Sequence, residues 1–349
     1  MSVNHGTRRA RLAAMLGEYD VDALLVTRGV NVRYLTGLVS SNAAVLVRAD
    51  GSAVLATDAR YIETARRVCH DIEVTERRDV AGALVQAAGR PGIESHDMSV
   101  AEYHRLGGDL TPVERLVERL RVVKDEAEID ALRTACEITD RAFADVVGTI
   151  APGMTEKRIA QALEARMVEL GADKPAFDSI VASGPNGAVP HHAPSDRPVE
   201  RGDLITMDFG AMYGGYHADM TRTVALGAVA DWQRELYDLV REAQRAGRHA
   251  LAPGVDTETV DAAARDLIAA AGHGEHFGHP LGHGVGLEIH EDPFLRSSGA
   301  GRLEDRVPIT VEPGVYLPGR GGVRIEDTLV TRAGGPELLT RTTKELLVL

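Results

Sequence analysis

Two pairs of acids, Asp208/Asp219 and Glu312/Glu326, flank glycine-rich turns in the C-terminal part of the chain, and His283 lies between the pairs. Asp208 closes the apolar run Asp203-Leu204-Ile205-Thr206-Met207-Asp208, and Asp219 opens Asp219-Met220-Thr221-Arg222-Thr223-Val224. The midpoint between them falls at Tyr213-Gly214. A hairpin centred there sets the two carboxylates opposite each other, with Cβ atoms about 5 Å apart. Glu312 and Glu326 repeat the arrangement about Gly319, the centre of Leu317-Pro318-Gly319-Arg320-Gly321-Gly322. Like charges facing each other on an apolar sheet are destabilising unless something neutralises them. Four carboxylates and one imidazole predict two divalent cations, a dinuclear metal site.

The donor types narrow the ion. Carboxylates with one imidazole and no thiolate suit Mn²⁺, Co²⁺, Fe²⁺ or Zn²⁺ rather than Cu⁺ or an iron–sulfur cluster. Four ligating carboxylates balance two dications, which leaves a bridging hydroxide as the natural nucleophile. Two metals roughly 3.5–4 Å apart lower the pKa of such a water and stabilise a developing oxyanion. That is hydrolase chemistry, most naturally on an amide.

Further polar groups crowd the same region. His279, His283 and His290 fall within Gly278–Glu291, where repeated Gly and Pro280 predict a loop leading into a short strand rather than a helix. His290-Glu291 is not a zincin signature, because position 294 is Phe. Glu312 precedes Pro313-Gly314, and Arg324 lies on the same strand face as Glu326. An exposed Arg324–Glu326 ion pair would contribute little. The neighbours Val311, Val323, Ile325 and Leu329 instead predict burial, and a buried acid needs a partner.

The elements that must position these groups form two domains, as 349 residues exceed one average domain. Residues 1–120 alternate helix and strand patterns: an amphipathic helix near 8–18, strands over 22–26, 44–48 and 53–57, and helices from Ala59 and near 80–88. Asp50-Gly51 reads as a hairpin turn, and Ser99-Val100-Ala101-Glu102 as a capping box. Pro112–Asp125 reads as a connector. Residues 121–349 carry helices over 125–147, 155–170, 231–251 and 257–271, alternating with the acid-bearing strands. The expected class is α+β, an antiparallel sheet backed by helices, with a helix–helix–hairpin rhythm that hints at internal duplication.

Composition excludes several classes. A formal net charge of −13 argues against nucleic acid and anionic membrane surfaces as partners. No stretch reaches the ~20 apolar residues needed to span a bilayer, and the N-terminal start lacks a signal-peptide pattern. Cys69 and Cys136 sit in no paired motif and are expected to be reduced and buried, with one disulfide between them as the alternative. A cytoplasmic location is expected.

The residues also resemble a known group. Asp208-Phe209-Gly210, Asp219-Met220-Thr221-Arg222-Thr223 and Gly282-His283-Gly284-Val285-Gly286 resemble motifs of the pita-bread metallopeptidases. So do His290-Glu291, Glu312-Pro313-Gly314 and Gly322-Val323-Arg324-Ile325-Glu326-Asp327. That family includes prolidase, aminopeptidase P and methionine aminopeptidase. Residues 1–120, with Asn31-Val32-Arg33-Tyr34-Leu35-Thr36-Gly37, resemble the creatinase-type N-terminal domain of prolidases.

The resemblance implies that Asp208 chelates one metal, His283 binds the other, and Asp219 and Glu326 bridge them. Glu312 would ligate the second metal and shuttle a proton to the leaving nitrogen. His290 would steady the scissile carbonyl, and His279 and His191 would contact substrate, His191 being preferred over His192. Arg324 would orient the bridging acids or meet a substrate carboxylate. Two metal ions per chain, Mn²⁺ before Co²⁺, Zn²⁺ or Fe²⁺, small proline-containing peptides and a homodimer complete the expectation. The implied activity is hydrolysis of Xaa-Pro dipeptides, with aminopeptidase P action on longer Xaa-Pro peptides as the alternative and a non-catalytic binding protein behind both. One departure bears on this choice. Many prolidases carry Arg where this chain has Phe294, and its next arginine is Arg296.

Overall fold

The computed structural model describes residues 4–298 and 301–349; Met1–Val3, part of the polar N-terminal start, and Gly299-Ala300 lie outside it. The chain divides into two compact units, Met1–Arg121 and Val122–Leu349.

The first unit is built on a six-stranded mixed sheet. Its strands are β1 (Ala23–Val26), β2 (Ala43–Arg48), β3 (Ala53–Thr57), β4 (Glu73–Glu76), β5 (Pro91–Glu94) and β6 (Thr111–Val113), in the order β4-β3-β2-β1-β5-β6. The β2–β3 hairpin turns at Asp50-Gly51, where Gly51 takes φ 83° and Asp50 accepts from Ser52 N. Helices α1 (His5–Met15), α2 (Gly29–Thr36), α3 (Ile62–Val68), α4 (Val80–Val85), α5 (Val100–Leu106) and α6 (Leu116–Val122) accompany the sheet. Two expectations need correction here. The segment expected as a connector contains β6 and α6. Ser99 caps α5 at Glu102 N, but the Glu102 carboxylate accepts from Arg105 instead of returning to the cap, so the box is half formed. The Asn31–Gly37 motif is helix α2, with Asn31 buried and bonded to Glu94, Glu118 and Arg121.

The second unit repeats a helix–helix–hairpin pattern. Helix α7 (Glu126–Val147) starts at a full capping box, Asp125 with Glu128. It buries one stripe, including Ile129, Leu132, Ala135, Ile138 and Phe143. Each large side chain so buried stabilises the fold by about 1.5–3 kcal/mol. Helix α8 (Glu156–Glu169) follows, capped by Thr155. Next come β7 (Lys174–Pro175), β8 (Ile180–Ser183), β9 (Leu204–Phe209), β10 (Ala211–Tyr213), β11 (Tyr216–His217) and β12 (Met220–Ala225). The second half repeats this with α9 (Asp231–Ala250), α10 (Thr257–Ala270), β13 (Gly282–Gly284) and β14 (Glu291–Leu295). Strands β15 (Pro308–Val311), β16 (Gly314–Leu317), β17 (Gly321–Arg324), β18 (Asp327–Val330) and β19 (Glu337–Leu338) complete it. Ala-Pro-Gly occurs at both helix–helix turns, at residues 151–153 and 252–254.

The ladders of this unit are antiparallel, in the orders β12-β9-β8, β14-β13-β15-β18-β19, β11-β10-β7 and β16-β17. One core lies where α7 and α8 cover β8, β9 and β12; a second lies where α9 and α10 pack with residues of β14, β15, β17 and β18. Asp208 therefore sits on a strand, and Asp219, Glu312 and Glu326 directly beside strand ends, of sheets backed by two helix pairs.

Candidate metal centre and substrate cavity

The two acid pairs are placed by two different registers. Glu312 and Glu326 follow the expected symmetry: β15–β18 pairs Val311 with Asp327 and β16–β17 pairs Gly314 with Arg324, so the acids sit level at the break between these ladders. Pro313, which has no N–H to give a ladder, lies in that break. The first pair departs from expectation. Asp208 faces Thr221, not Asp219. The turn is centred at Gly214-Gly215 instead of Tyr213-Gly214, with Tyr213 paired to Tyr216. Both glycines have positive φ, 56° and 82°, which a two-residue hairpin turn of this kind demands and Tyr213 would resist. Asp208 and Asp219 are thus diagonal neighbours on one face.

The side chains converge nevertheless. Ligand atoms of Asp219, His283 and Glu326, all buried, lie within 4.8 Å of one another. His283 is central in β13, beside a register shift at His283/Gly284. Its Nδ1 is 3.0 Å from the carbonyl oxygen of Gly284, so Nδ1 carries the proton. Nε2 then presents a bare lone pair, 3.4 Å from Glu312 Oε1 and 3.6 Å from Asp219 Oδ2. A backbone acceptor on one ring nitrogen is how proteins orient the other toward a metal. Oδ1 of Asp208, Oδ1 of Asp219 and Oε1 of Glu326 are buried with no hydrogen-bond partner.

The electrostatics show the same strain. Burial, then the Glu326, Asp208 and Glu312 charges, push Asp219 far above the usual carboxylate range. Burial and Glu326 do the same to Glu312. Glu326 is pushed up to about 8 by burial and by Asp208, although Thr221 Oγ1 donates to it at 2.7 Å. Burial lowers His283 to about 4. Buried acceptors without donors are costly, and this set fits divalent cations.

Beside the cluster lies an open cavity of about 360 Å³. Asp208, Asp219, His283, Glu312, His191, His279, His290 and Arg324 all line it, whereas Glu326 stands behind. Phe177, Ile180, Pro190, Ile289 and Phe294 supply its apolar surface. His192 turns away and lies 2.8 Å from Glu156, leaving His191 to the cavity. Arg296 is exposed and outside the lining.

Two expected substrate contacts are engaged with the protein itself. Arg324 Nη2 donates to Asp208 at 2.7 Å, Nη1 to Tyr316 Oη at 2.9 Å and Pro190 O at 3.2 Å, and Nε to Thr221 Oγ1 at 3.1 Å. Arg324 and Glu326 are both buried, as their apolar neighbours predict, and Arg324 makes this set of bonds rather than a surface pair with Glu326. Tyr316, with Arg324 donating to it, gives its proton to His279 Nε2 at 2.8 Å, and His279 Nδ1 donates to Pro280 O at 2.8 Å. His279 therefore orients Tyr316, and burial lowers it to about 4. Tyr316 is absent from the site expected from sequence; a phenol on the apolar strand after Glu312 is its one local signal.

Buried acids gathered between two helix-backed antiparallel halves are the arrangement expected of a metallopeptidase. Residues 130–333 match metallopeptidase family M24, residues 8–123 match the creatinase/prolidase N-terminal domain, and the chain belongs to family M24. The fold is thus a pita-bread domain preceded by a creatinase-type domain. An uncharacterized peptidase of Bacillus subtilis (strain 168), YqhT, is 39% identical over 353 residues, covering 97% of this chain and 99% of that protein. The Xaa-Pro dipeptidase of Bacillus anthracis superposes with TM-score 0.96 at 36% identity, covering 99% and 100% of the two chains. The X-Pro aminopeptidase of Thermotoga maritima MSB8 gives TM-score 0.88 at 37% identity, covering 96% and 99%. Family membership implies divalent metal ions. No helix among the described residues is long and apolar enough to cross a membrane.

Proposed function

We propose that this chain is a dinuclear-metal hydrolase that cleaves Xaa-Pro dipeptides. The observation that carries the reading is the convergence of Asp219, His283 and Glu326 within 4.8 Å, with buried carboxylate oxygens lacking donors, beside a cavity that Asp219 and His283 line. Asp208, Asp219, His283, Glu312 and Glu326 are the ligands in this reading, with manganese as the expected ion. Two bound cations supply a water of lowered pKa and stabilise charge on a carbonyl oxygen.

The chain's own groups do the rest. Glu312 faces the cavity and is the carboxylate placed to carry a proton to the departing nitrogen. His290 at the mouth donates to the scissile carbonyl as its oxygen gains charge. The apolar surface from Phe177, Ile180, Pro190, Ile289 and Phe294 suits a proline ring, which has no N–H to satisfy. The reading includes a homodimer, which light scattering tests as twice the 37.4 kDa of one chain, and a cytoplasmic location consistent with two free cysteines.

One observation favours the second reading, aminopeptidase P action on longer peptides. Arg324 is the one arginine or lysine lining the cavity among the described residues, and its donors already face Asp208, Tyr316, Pro190 and Thr221. A dipeptide brings a free carboxylate into that space, whereas a longer peptide brings a neutral amide. The deciding experiment strips the metal, restores Mn²⁺, Co²⁺ or Zn²⁺, and compares Ala-Pro, Met-Pro and an Xaa-Pro tripeptide. Metal-dependent cleavage of the dipeptides supports the first reading. Preference for the tripeptide moves the assignment to the second. No cleavage of either with two ions bound overturns both and leaves a binding role.

A further inference from the structure

An ion pair away from the acid cluster has no part in the chemistry above. Lys124 Nζ lies 2.8 Å from Glu291 Oε2, with side-chain exposures of 1% and 6%. Burying two charges costs several kcal/mol per ion, and an apolar pair of similar volume would often be more stable. The pair therefore asks for a reason beyond stability, and its surroundings supply one.

Glu291 follows His290 and opens β14, at the end of the turn that leaves β13 after Gly284. Its other oxygen, Oε1, accepts from Glu288 N at 3.1 Å, so the carboxylate lies under the turn it terminates. Gly286 N donates to Glu288 O at 3.0 Å and closes the turn. A Cβ at Gly286 would come within 2.8 Å and 2.9 Å of the Glu291 oxygens and 2.9 Å of Lys124 Cε, so carboxylate and ammonium stem press directly on the backbone. The start of the turn is held separately: Gly286 O accepts from His217 N at 2.9 Å and lies 3.0 Å from His217 Nδ1. Fixed at both ends, the turn presents Ile289 and His290 to the cavity. The His290 ring stands edge-on to His283, centroids 4.5 Å apart.

We propose that Lys124 and Glu291 are positioning residues that brace the 286–291 turn and thereby set His290 against the reacting centre. The pair acts only through His290, so the proposal rests on the reading of His290 as a substrate-contacting group. Displacing a contact by about 1 Å costs on the order of 100-fold in rate.

The test uses the full-length, Mn²⁺-loaded protein and its Lys124→Met and Glu291→Gln variants, each also in a His290→Ala background, with Ala-Pro and Ala-Pro-Ala as substrates. The expected result is a kcat lower by about 10- to 100-fold, with KM within about threefold and metal content per chain unchanged. In the His290→Ala background the same substitutions should change kcat by less than about twofold, because the contact they position is gone. A crystal structure of the Lys124→Met variant should show the His290 ring displaced from His283. An equal loss in the His290→Ala background, or an undiminished kcat per folded chain, overturns the proposal. If Lys124→Met does not fold, Glu291→Gln, which keeps the volume and the acceptor for Glu288 N, carries the comparison alone. A parent protein inactive on every Xaa-Pro peptide refutes the proposed function, and the crystal structure of the variant still decides the brace: an unmoved His290 overturns it.

Discussion

Arg324 donates to Oδ2 of Asp208 at 2.7 Å, while Oδ1 of the same carboxylate is buried without a partner. The arginine thus orients the acid and leaves one oxygen turned to the cluster. The guanidinium is itself held flat by Tyr316, Pro190 and Thr221, so four of its five N–H groups are engaged.

Arg324→Ala should therefore act on metal binding as well as turnover. Removing one partner of a buried pair costs about 3–5 kcal/mol, and loss of such outer support lowers metal affinity by about 10–100-fold. Titration calorimetry with Mn²⁺ and urea unfolding measure the two effects. Arg324→Lys should recover little, since an ammonium cannot span Asp208, Tyr316 and Thr221 together. Tyr316→Phe should fall between parent and Arg324→Ala. Parent-like affinity in Arg324→Ala would refute the orienting role.

Glu156 gives a pH signature separate from the acid cluster. Burial pushes this carboxyl up, but donors from Ser195, His192, Asn186 and Ser183 outweigh it and hold it down at about 2. Its ordinary value is 4.5, so it is lowered on folding. The stabilisation is then complete above about pH 4.5 and is lost as pH falls toward 2. It amounts to roughly 3 kcal/mol at neutral pH. Glu156→Gln should lower stability at pH 7 by about that much and flatten the acid limb of a urea-midpoint profile. It should also disturb activity, because Glu156 gathers Ser183, Asn186, His192 and Ser195 around the loop that carries His191. An unchanged acid limb would show that the network does not hold the charge.

How far the sequence reveals this arrangement depends on the range of the interaction. Helix starts at Asp125 and Thr155 are legible because capping is local: the donor lies three residues from the acceptor. The Glu312/Glu326 register is legible because Gly319 marks its turn. The Asp208/Asp219 register is misread by two residues, Asp208 facing Thr221 instead of Asp219, since Tyr213-Gly214 and Gly214-Gly215 are alternative turn centres until the positive φ of both glycines decides. Contacts such as Arg324–Asp208 and Lys124–Glu291 span 116 and 167 residues and leave no local trace. The engagement of His279 by Tyr316 is of the same kind; a histidine in a Gly-rich loop gives no local sign of the phenol that meets it 37 residues later.

Phe294 offers a gain-of-function test of peptide length. It pairs with His283 across β13–β14 and lines the cavity. Phe294→Arg would add a cation that Arg324, already engaged, does not supply. The ratio of kcat/KM for Ala-Pro over Ala-Pro-Ala should rise by about tenfold, the value of one charge-assisted hydrogen bond of roughly 1.5 kcal/mol. An unchanged ratio, with both peptides still cleaved, would mean that the carboxylate of a dipeptide lies elsewhere.

Glu326 should trade stability against metal dependence. In the metal-free protein it is one of several buried acids that raise one another's pKa values, and Oε1 has no donor. Glu326→Gln removes that repulsion while leaving an oxygen for Thr221 Oγ1. The metal-free variant should therefore unfold at higher urea than the metal-free parent, by an amount equivalent to about 1–2 kcal/mol. Adding Mn²⁺ should reverse the order: a ligand at 100 times its Kd stabilises the folded state by about 2.7 kcal/mol, and the variant should gain much less. Unfolding of both proteins with and without Mn²⁺ measures all four values. If metal-free Glu326→Gln were less stable than the parent, repulsion among the acids would not dominate the empty cluster. If Mn²⁺ stabilised both proteins equally, Glu326 would not be a ligand.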